Sequence, residues 1–306
     1  MHAKLFGLFV ATLAVAGCAR DTWPDPPAID QTAYDAQYKA WREERREAAA
    51  STVRILGIWP LLEGETPFGS DASLPIVLPA RVAPSRAGVF RRTGSKVEVV
   101  PARGVPLRLP DGALVEGPAE VEMVSLGSVR MITGAMGEGP GARVFVDASD
   151  DKHPALENLA DVATYPVDPR WRVAARFDKF DAPKPLRVPD VRGGFMDLTA
   201  VGELAFPLNG QPQQLIAIGE DGREDFFVMF KDPTNASTTY RGYRILSPAA
   251  VGDGGWTVLD FNLASNPPCA YSPFTVCPLP PPENRLHVAV EAGEKRHPTA
   301  KGFGVE

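Results

Sequence analysis

Leu204-Ala205-Phe206-Pro207-Leu208-Asn209-Gly210-Gln211-Pro212-Gln213-Gln214-Leu215-Ile216-Ala217-Ile218 is a pair of apolar runs hinged on Asn-Gly. Asn and Gly tolerate the positive φ values of a two-residue type I′ turn, so the stretch reads as a tight β-hairpin. Just downstream, Glu220-Asp221-Gly222-Arg223 makes a second turn before Phe226-Phe227-Val228-Met229-Phe230. Upstream, Trp171, Val173, Ala175 and Phe177 alternate with Arg172, Ala174 and Arg176, the pattern of a half-buried strand. Residues 240–246, 256–261 and 286–290 add further strands. Six or more antiparallel strands with short links predict a β-barrel-like domain over residues 151–295.

The first half also reads as β. Short runs at 53–62, 76–79, 88–91, 96–100, 107–109, 120–124 and 129–133, spaced by Gly and Pro, predict a β-sandwich over 31–150. Gly134-Ala135-Met136-Gly137-Glu138-Gly139-Pro140-Gly141 is a hairpin loop. It is not a phosphate loop, because no Lys-Ser or Lys-Thr follows and Arg143-Val144-Phe145-Val146 resumes a strand. Ahead of the sandwich, Tyr34, Tyr38, Trp41 and Arg45 share one face of an amphipathic helix over 31–50, with Asp30 as its N-cap. The aromatic stripe is expected to lie on the first β domain.

Gly69-Ser70-Asp71, Ile76-Val77-Leu78-Pro79 and Ser85-Arg86 together resemble the opening of forkhead-associated (FHA) domains. The resemblance implies an FHA-like β-sandwich. It does not extend to phosphothreonine recognition. Ser70 stands where that family carries its phosphate-binding Arg, and Ala87-Gly88 where it carries His.

The densest run of proline closes the second domain: Asn266-Pro267-Pro268-Cys269-Ala270-Tyr271-Ser272-Pro273-Phe274-Thr275-Val276-Cys277-Pro278-Leu279-Pro280-Pro281-Pro282-Glu283-Asn284-Arg285-Leu286. Proline fixes φ and lacks an N–H, so this run is neither helix nor central strand. With Lys231-Asp232-Pro233-Thr234-Asn235, Thr239-Tyr240, Arg244 and Leu259-Asp260-Phe261-Asn262, it resembles the bacterial DUF1684 family, a domain of unknown function. The likeness spans most of residues 35–295. The family generally carries Arg and Tyr where this chain has Leu263 and Ser265.

The N-terminus reads as an address. Lys4 precedes an uncharged apolar stretch, residues 5–16, too short to span a bilayer as a helix. It ends Leu13-Ala14-Val15-Ala16-Gly17-Cys18, similar to a bacterial lipoprotein signal in which Cys18 is lipidated. Residues 1–18 are thus the signal, 19–30 a proline-bearing tether, and Ala19 favours an outer-membrane anchor facing the periplasm. The last residues, 294–306, form a polar tail, of which 296–306 lie beyond the second domain. Export to an oxidising compartment favours a disulfide between Cys269 and Cys277, the other reading being two buried thiols.

With a net charge of −6 and no basic or aromatic-basic stretch, nucleic acid is an unexpected partner. No cofactor or metal motif occurs, the histidines being scattered. The expected partners are the membrane, through Cys18, and an envelope ligand or protein. The oligomeric state is not legible.

Asp260 and Asn262 share a strand face, and the stiff loop, read as a lid over the mouth of the second domain with its polar groups aimed inward, carries Asn266, Tyr271, Glu283, Asn284 and Arg285 beside them. With Lys231, Asp232, Tyr240 and Arg244 these form the candidate ligand site, Lys231 and Arg244 facing an anion. The competing reading is a structural plug whose Asn and Asp bond their own turns. A hydrolase reading uses Asp260 with Glu283, or Cys269 with His287, on an envelope glycan or ester.

Overall fold

The computed structural model describes residues 23–137, 142–159 and 161–297. The signal segment, Cys18 and the last nine residues of the tail lie outside them. The protein is mainly β, with one α-helix near its N-terminus. Among the described residues no helix is long and apolar enough to cross a membrane.

Helix α1 (Gln31–Val53) starts where the spacing places it. The Asp30 carboxylate accepts from the Ala33 N–H at 2.9 Å, a cap worth about 1 kcal/mol. The first β domain then follows: β1 (Ile55–Pro60), β2 (Gly64–Gly69), β3 (Ile76–Val77), β4 (Gly88–Thr93), β5 (Lys96–Pro101), β6 (Ala119–Glu120), β7 (Met123–Leu126), β8 (Val129–Met136) and β9 (Arg143–Asp150). They form two sheets, β1-β9-β8-β7 and β3-β2-β4-β5-β6, over a shared core that includes Phe68, Phe90, Val99, Met131 and Val146. The segments behind the FHA resemblance meet here: Ser70 N–H bonds Pro84 O at 2.9 Å and Asp71 N–H bonds Ser85 O at 3.2 Å. Gly69 is needed for that crossing, since a Cβ there would sit 2.2 Å from Ser85 O.

The second domain is one curled sheet, a half-barrel: β10 (Arg172–Pro189), β11 (Phe195–Leu208), β12 (Gln211–Gly219), β13 (Phe226–Phe230), β14 (Arg244–Leu246) and β15 (Trp256–Asp260). Their order is β14-β13-β12-β11-β10-β15. The hairpin β11–β12 turns on Asn209 (φ 48°) and Gly210 (φ 73°), as the opening stretch predicts. The two sheet edges are drawn together by Ile245 and Ser265, which exchange both backbone hydrogen bonds at 2.8 Å, and by Ala249 N–H on Val258 O at 3.0 Å.

Strand alternation gives this sheet two cores. Leu204, Phe206, Val228, Phe230 and Leu259 pack on one face, where Leu286, Val288, Val290 and Ala292 of the following extended segment join them. Ile218 and Met229 face the other way, against Tyr240, Tyr243, Cys269, Tyr271 and Cys277. The proline-cysteine run therefore clads the outer face. The expected lid over a barrel mouth, its polar groups aimed into a hollow, is not what forms.

Two expectations need correcting. The α1 stripe does not lie on the first β domain. Ala49 is fully buried in the outer core of the second, Tyr38 Oη donates to Thr164 Oγ1 at 3.0 Å, and Arg42 pairs with Asp161. Periodicity defines a buried stripe but carries no information about what buries it. Nor is the tail loose from residue 294: Glu294 is fully buried, Lys295 N–H bonds Ala163 O at 2.8 Å and Arg296 N–H bonds Thr238 O at 2.9 Å. Residues 23–30, expected as a tether, lie on the second domain. The Trp23 ring meets Trp256 edge-on at 5.8 Å, and Arg172 Nη1 donates to Pro27 O at 3.2 Å.

Candidate functional site

The nominated residues do not form one constellation. They fall into four places, two of them structural.

The first is a buried knot after β13. Asp232 caps the short 3-10 turn Pro233–Ala236, accepting from Thr234 N–H at 2.7 Å, while Asn235 Oδ1 accepts from Asp232 N–H at 2.7 Å. The second Asp232 oxygen pairs with Arg244, and both side chains are fully buried. Arg244 also donates to Ala292 O and Val290 O and lies 5.0 Å over the Phe230 ring. Burial pushes the guanidinium pKa down, against the pull of Asp232. Arg244 is enclosed in protein and meets no solvent-borne anion, so its expected ligand role is corrected to a brace between β14 and the extended C-terminal segment. Tyr240, its hydroxyl on Cys269 O at 3.3 Å, belongs to the same packing.

The second is the proline-cysteine run. Asn284 is fully buried. Its Nδ2 donates to Ile216 O at 3.0 Å and Met229 O at 2.9 Å, and its Oδ1 accepts from Ile216 N–H at 2.6 Å. It bridges β12 and β13 where their own pairing, confined to Ile218–Phe227 and Gly219–Phe226, does not reach. Asn266 is held by Glu294: the backbone N–H reaches Oε2 at 2.8 Å and Nδ2 reaches Oε1 at 3.0 Å. Arg45 of α1 pairs with the same carboxylate at 3.5 Å, and burial lifts the Glu294 pKa to about 7. The Tyr271 ring is buried 6.0 Å from His297. Cys269 and Cys277 are buried side by side as two free thiols rather than the expected cystine. The hydrogen bond between them favours a Cys277 thiolate with Cys269 holding its proton.

Third is a groove of about 830 Å³ along β15. Asp260 lies at its end, and Asn262 meets it not from a shared strand face, as expected, but from the 3-10 turn Phe261–Leu263 that Asp260 caps at the end of β15. Asp260 Oδ1 accepts from Asn262 N–H at 3.1 Å and Nδ2 at 2.9 Å, its Oδ2 lies 3.3 Å from Arg172 Nε, and Tyr34 of α1 sits against it. Burial raises the Asp260 pKa, opposed by these hydrogen bonds and by Arg172. Residues 24–37 make one wall, and Trp256, Val258 and the 247–250 segment that follows β14 the other.

Fourth is a cleft of about 490 Å³ beside the knot, lined by Lys231, Arg285, Arg241 and His287. Lys231 and Arg285 are adjacent because their backbones bridge: Lys231 N–H bonds Asn284 O at 2.9 Å and Leu286 N–H bonds Lys231 O at 2.8 Å.

Glu283 is exposed and lines neither cleft, so it shares no pocket with Asp260; Cys269 is buried in the outer core while His287 faces the basic cleft. Neither pairing needed by the hydrolase reading is assembled. Among the described residues no group of His, Cys, Asp and Glu converges as a metal site. The sequence reading missed Tyr34 as a partner of Asp260, Arg45 with Glu294, Arg241 altogether, and the place of His287 beside Arg285, having named it only as a partner for Cys269. The alternation of exposed Arg285 and His287 with buried Leu286 and Val288 was the available signal for the last.

Residues 157–295 match the model of the family described as "Protein of unknown function (DUF1684)". This match supports a DUF1684 kinship for the second domain. The chain is also similar to an uncharacterized protein of Haloarcula marismortui known from a solution NMR structure, at 34% identity over 46% of this chain and 80% of that chain, with a TM-score of 0.39. Comparison with curated proteins gave no match. The DUF1684 segment contains Arg172, Asp260 and the whole basic cleft. Tyr34, Trp23 and Arg45 lie ahead of it, so one wall of the groove comes from outside the family region. The match gives no support to the forkhead-associated likeness of residues 31–150.

Proposed function

We propose that this protein is a lipid-anchored cell-envelope protein that binds a ligand, without catalysis, in the groove over Asp260. The observation that carries this reading is the groove itself: about 830 Å³, within the range of small-molecule sites, with a largely buried Asp–Arg pair at its end. Its walls are mostly apolar, through Pro24, Ile29, Ala33, Ala249, Trp256 and Leu263, while Asp25, Asp253 and Asp260 outnumber Arg172. That lining suits an amphiphile with an amine or other hydrogen-bond-donating head.

The anchor makes the reading coherent. Trp23 stands five positions after Cys18, at most about 18 Å of extended chain. Lipidation at Cys18 would hold the groove close to a membrane surface, on the periplasmic face of the outer membrane in a two-membrane host. The forkhead-associated likeness is read as one of shape, with no phosphopeptide role.

Trp23 and Trp256 meet at the groove rim, so their fluorescence reports occupancy. A screen of envelope lipids, amines and glycans against the full chain should yield a saturable change that Asp260→Asn weakens by roughly tenfold. Hits bound equally by parent and variant refute the groove as the site. Palmitate labelling that persists in Cys18→Ser refutes the anchor.

A further inference from the structure

The basic cleft serves no structural purpose that its neighbours reveal. Lys231, Arg241 and Arg285 have no ion-pair partner among the described residues, in a chain whose net charge is −6. The one carboxylate on the cleft wall, Asp232, is fully buried and committed to Arg244. Lys231 is half-buried, and desolvation together with Arg285 disfavours its charged form. Bringing like charges together without a counter-ion opposes folding, yet the backbone is built to do so. Asn284, fixed by its three bonds to β12 and β13, sets the register of Arg285 against Lys231. Arg285 and His287 then project outward on alternate residues while Leu286 and Val288 enter the core. Arg241 follows Tyr240, whose carbonyl accepts from Asn235 Nδ2 in the same knot.

We infer that this cleft is a binding site for a phosphoryl group, carried by a soluble phosphomonoester or by an anionic lipid headgroup. Two guanidiniums and an ammonium converging from three segments match an oxyanion better than a carboxylate-bearing or neutral ligand. Arg supplies paired donors and Lys a point charge, as phosphate recognition uses them. A volume of about 490 Å³ accommodates a phosphate with a small attached body. This site is separate from the groove over Asp260 and does not depend on it.

The test uses the full chain carrying Cys18→Ser, so that no lipid of its own confuses the readings. Glycerol phosphate is titrated calorimetrically at low and high salt. In parallel the protein is sedimented with phosphatidylcholine vesicles, with and without phosphatidylglycerol. Binding in either arm should weaken with salt and fall by roughly tenfold or more in the Arg241→Gln/Arg285→Gln variant, whose replaced side chains are exposed. It should be unchanged in Asp260→Asn. Glycerol phosphate alone binding identifies a soluble ligand, and anionic vesicles alone a headgroup. No binding in either arm, or binding that the double variant retains, overturns the inference. Loss in Asp260→Asn with retention in the double variant overturns it too, while leaving the groove reading intact.

Discussion

Asn284 shows how much one side chain decides. Its amide replaces the missing rungs between β12 and β13 with three hydrogen bonds, two part-buried and one buried. Asn284→Ala strips the partner from Met229 O, which is buried, and from Ile216 N–H and O, which are part-buried. A loss of about 3 kcal/mol or more is expected in urea unfolding, where Asn284→Asp should fare little better. The buried Asp232–Arg244 pair predicts a similar outcome for Asp232→Ala: about 3–5 kcal/mol, because an uncompensated guanidinium stays behind. The adjoining thiols give a third test. The chain, unfolded without reductant, should show two titratable thiols from Cys269 and Cys277. No titratable thiol in the chain exported to an oxidising compartment would overturn the free pair. From sequence, Asn284 and Asn266 were singled out as ligand groups, but an amide that grips backbone and one that grips a ligand are the same letters.

Helix α1 was legible as an element, down to its Asp30 cap and its stripe, and misread only in what it covers. Ala49 fills a fully enclosed place in the second domain's outer core, so Ala49→Asp should lower the thermal transition of that domain and spare the first. A drop in the first transition instead would contradict the docking. The same helix touches Glu294 through Arg45. Burial lifts this carboxyl from an ordinary 4.5 to about 7, so the folded state holds a proton that the unfolded chain releases. Its contribution is fully present below the unfolded value and is lost as pH rises toward 7, by roughly 3 kcal/mol. Urea midpoints at about pH 5 and about pH 8 should differ in that direction, and Glu294→Gln should flatten the difference. An identical slope in the variant would mean Glu294 does not titrate in this window. Strand β10 was legible only as far as Phe177. Its continuation through Asp178-Lys179-Phe180-Asp181-Ala182-Pro183 is exposed and irregular in pattern, and is carried as strand by its pairing with β11 across a bulge.

At the scale of the molecule, one core serves the paired sheets of the first half and two serve the curled sheet of the second. What the letters alone determined was local: turns at Asn209-Gly210, strand alternation, the helix cap, and the stiffness of the proline-cysteine run. Each follows from interactions between residues a few positions apart, where φ preferences and periodicity act directly. What tertiary structure decided was which surfaces those elements cover and which polar groups remain free. The run that looked like a pocket lid became cladding. Arg244 and Asp232 extinguished one another's charge in the interior, and Lys231 and Arg285 were left facing solvent together. Those outcomes depend on contacts between segments tens to hundreds of residues apart. The same polar side chain is spent or spared according to a partner that its own neighbourhood in the chain does not name.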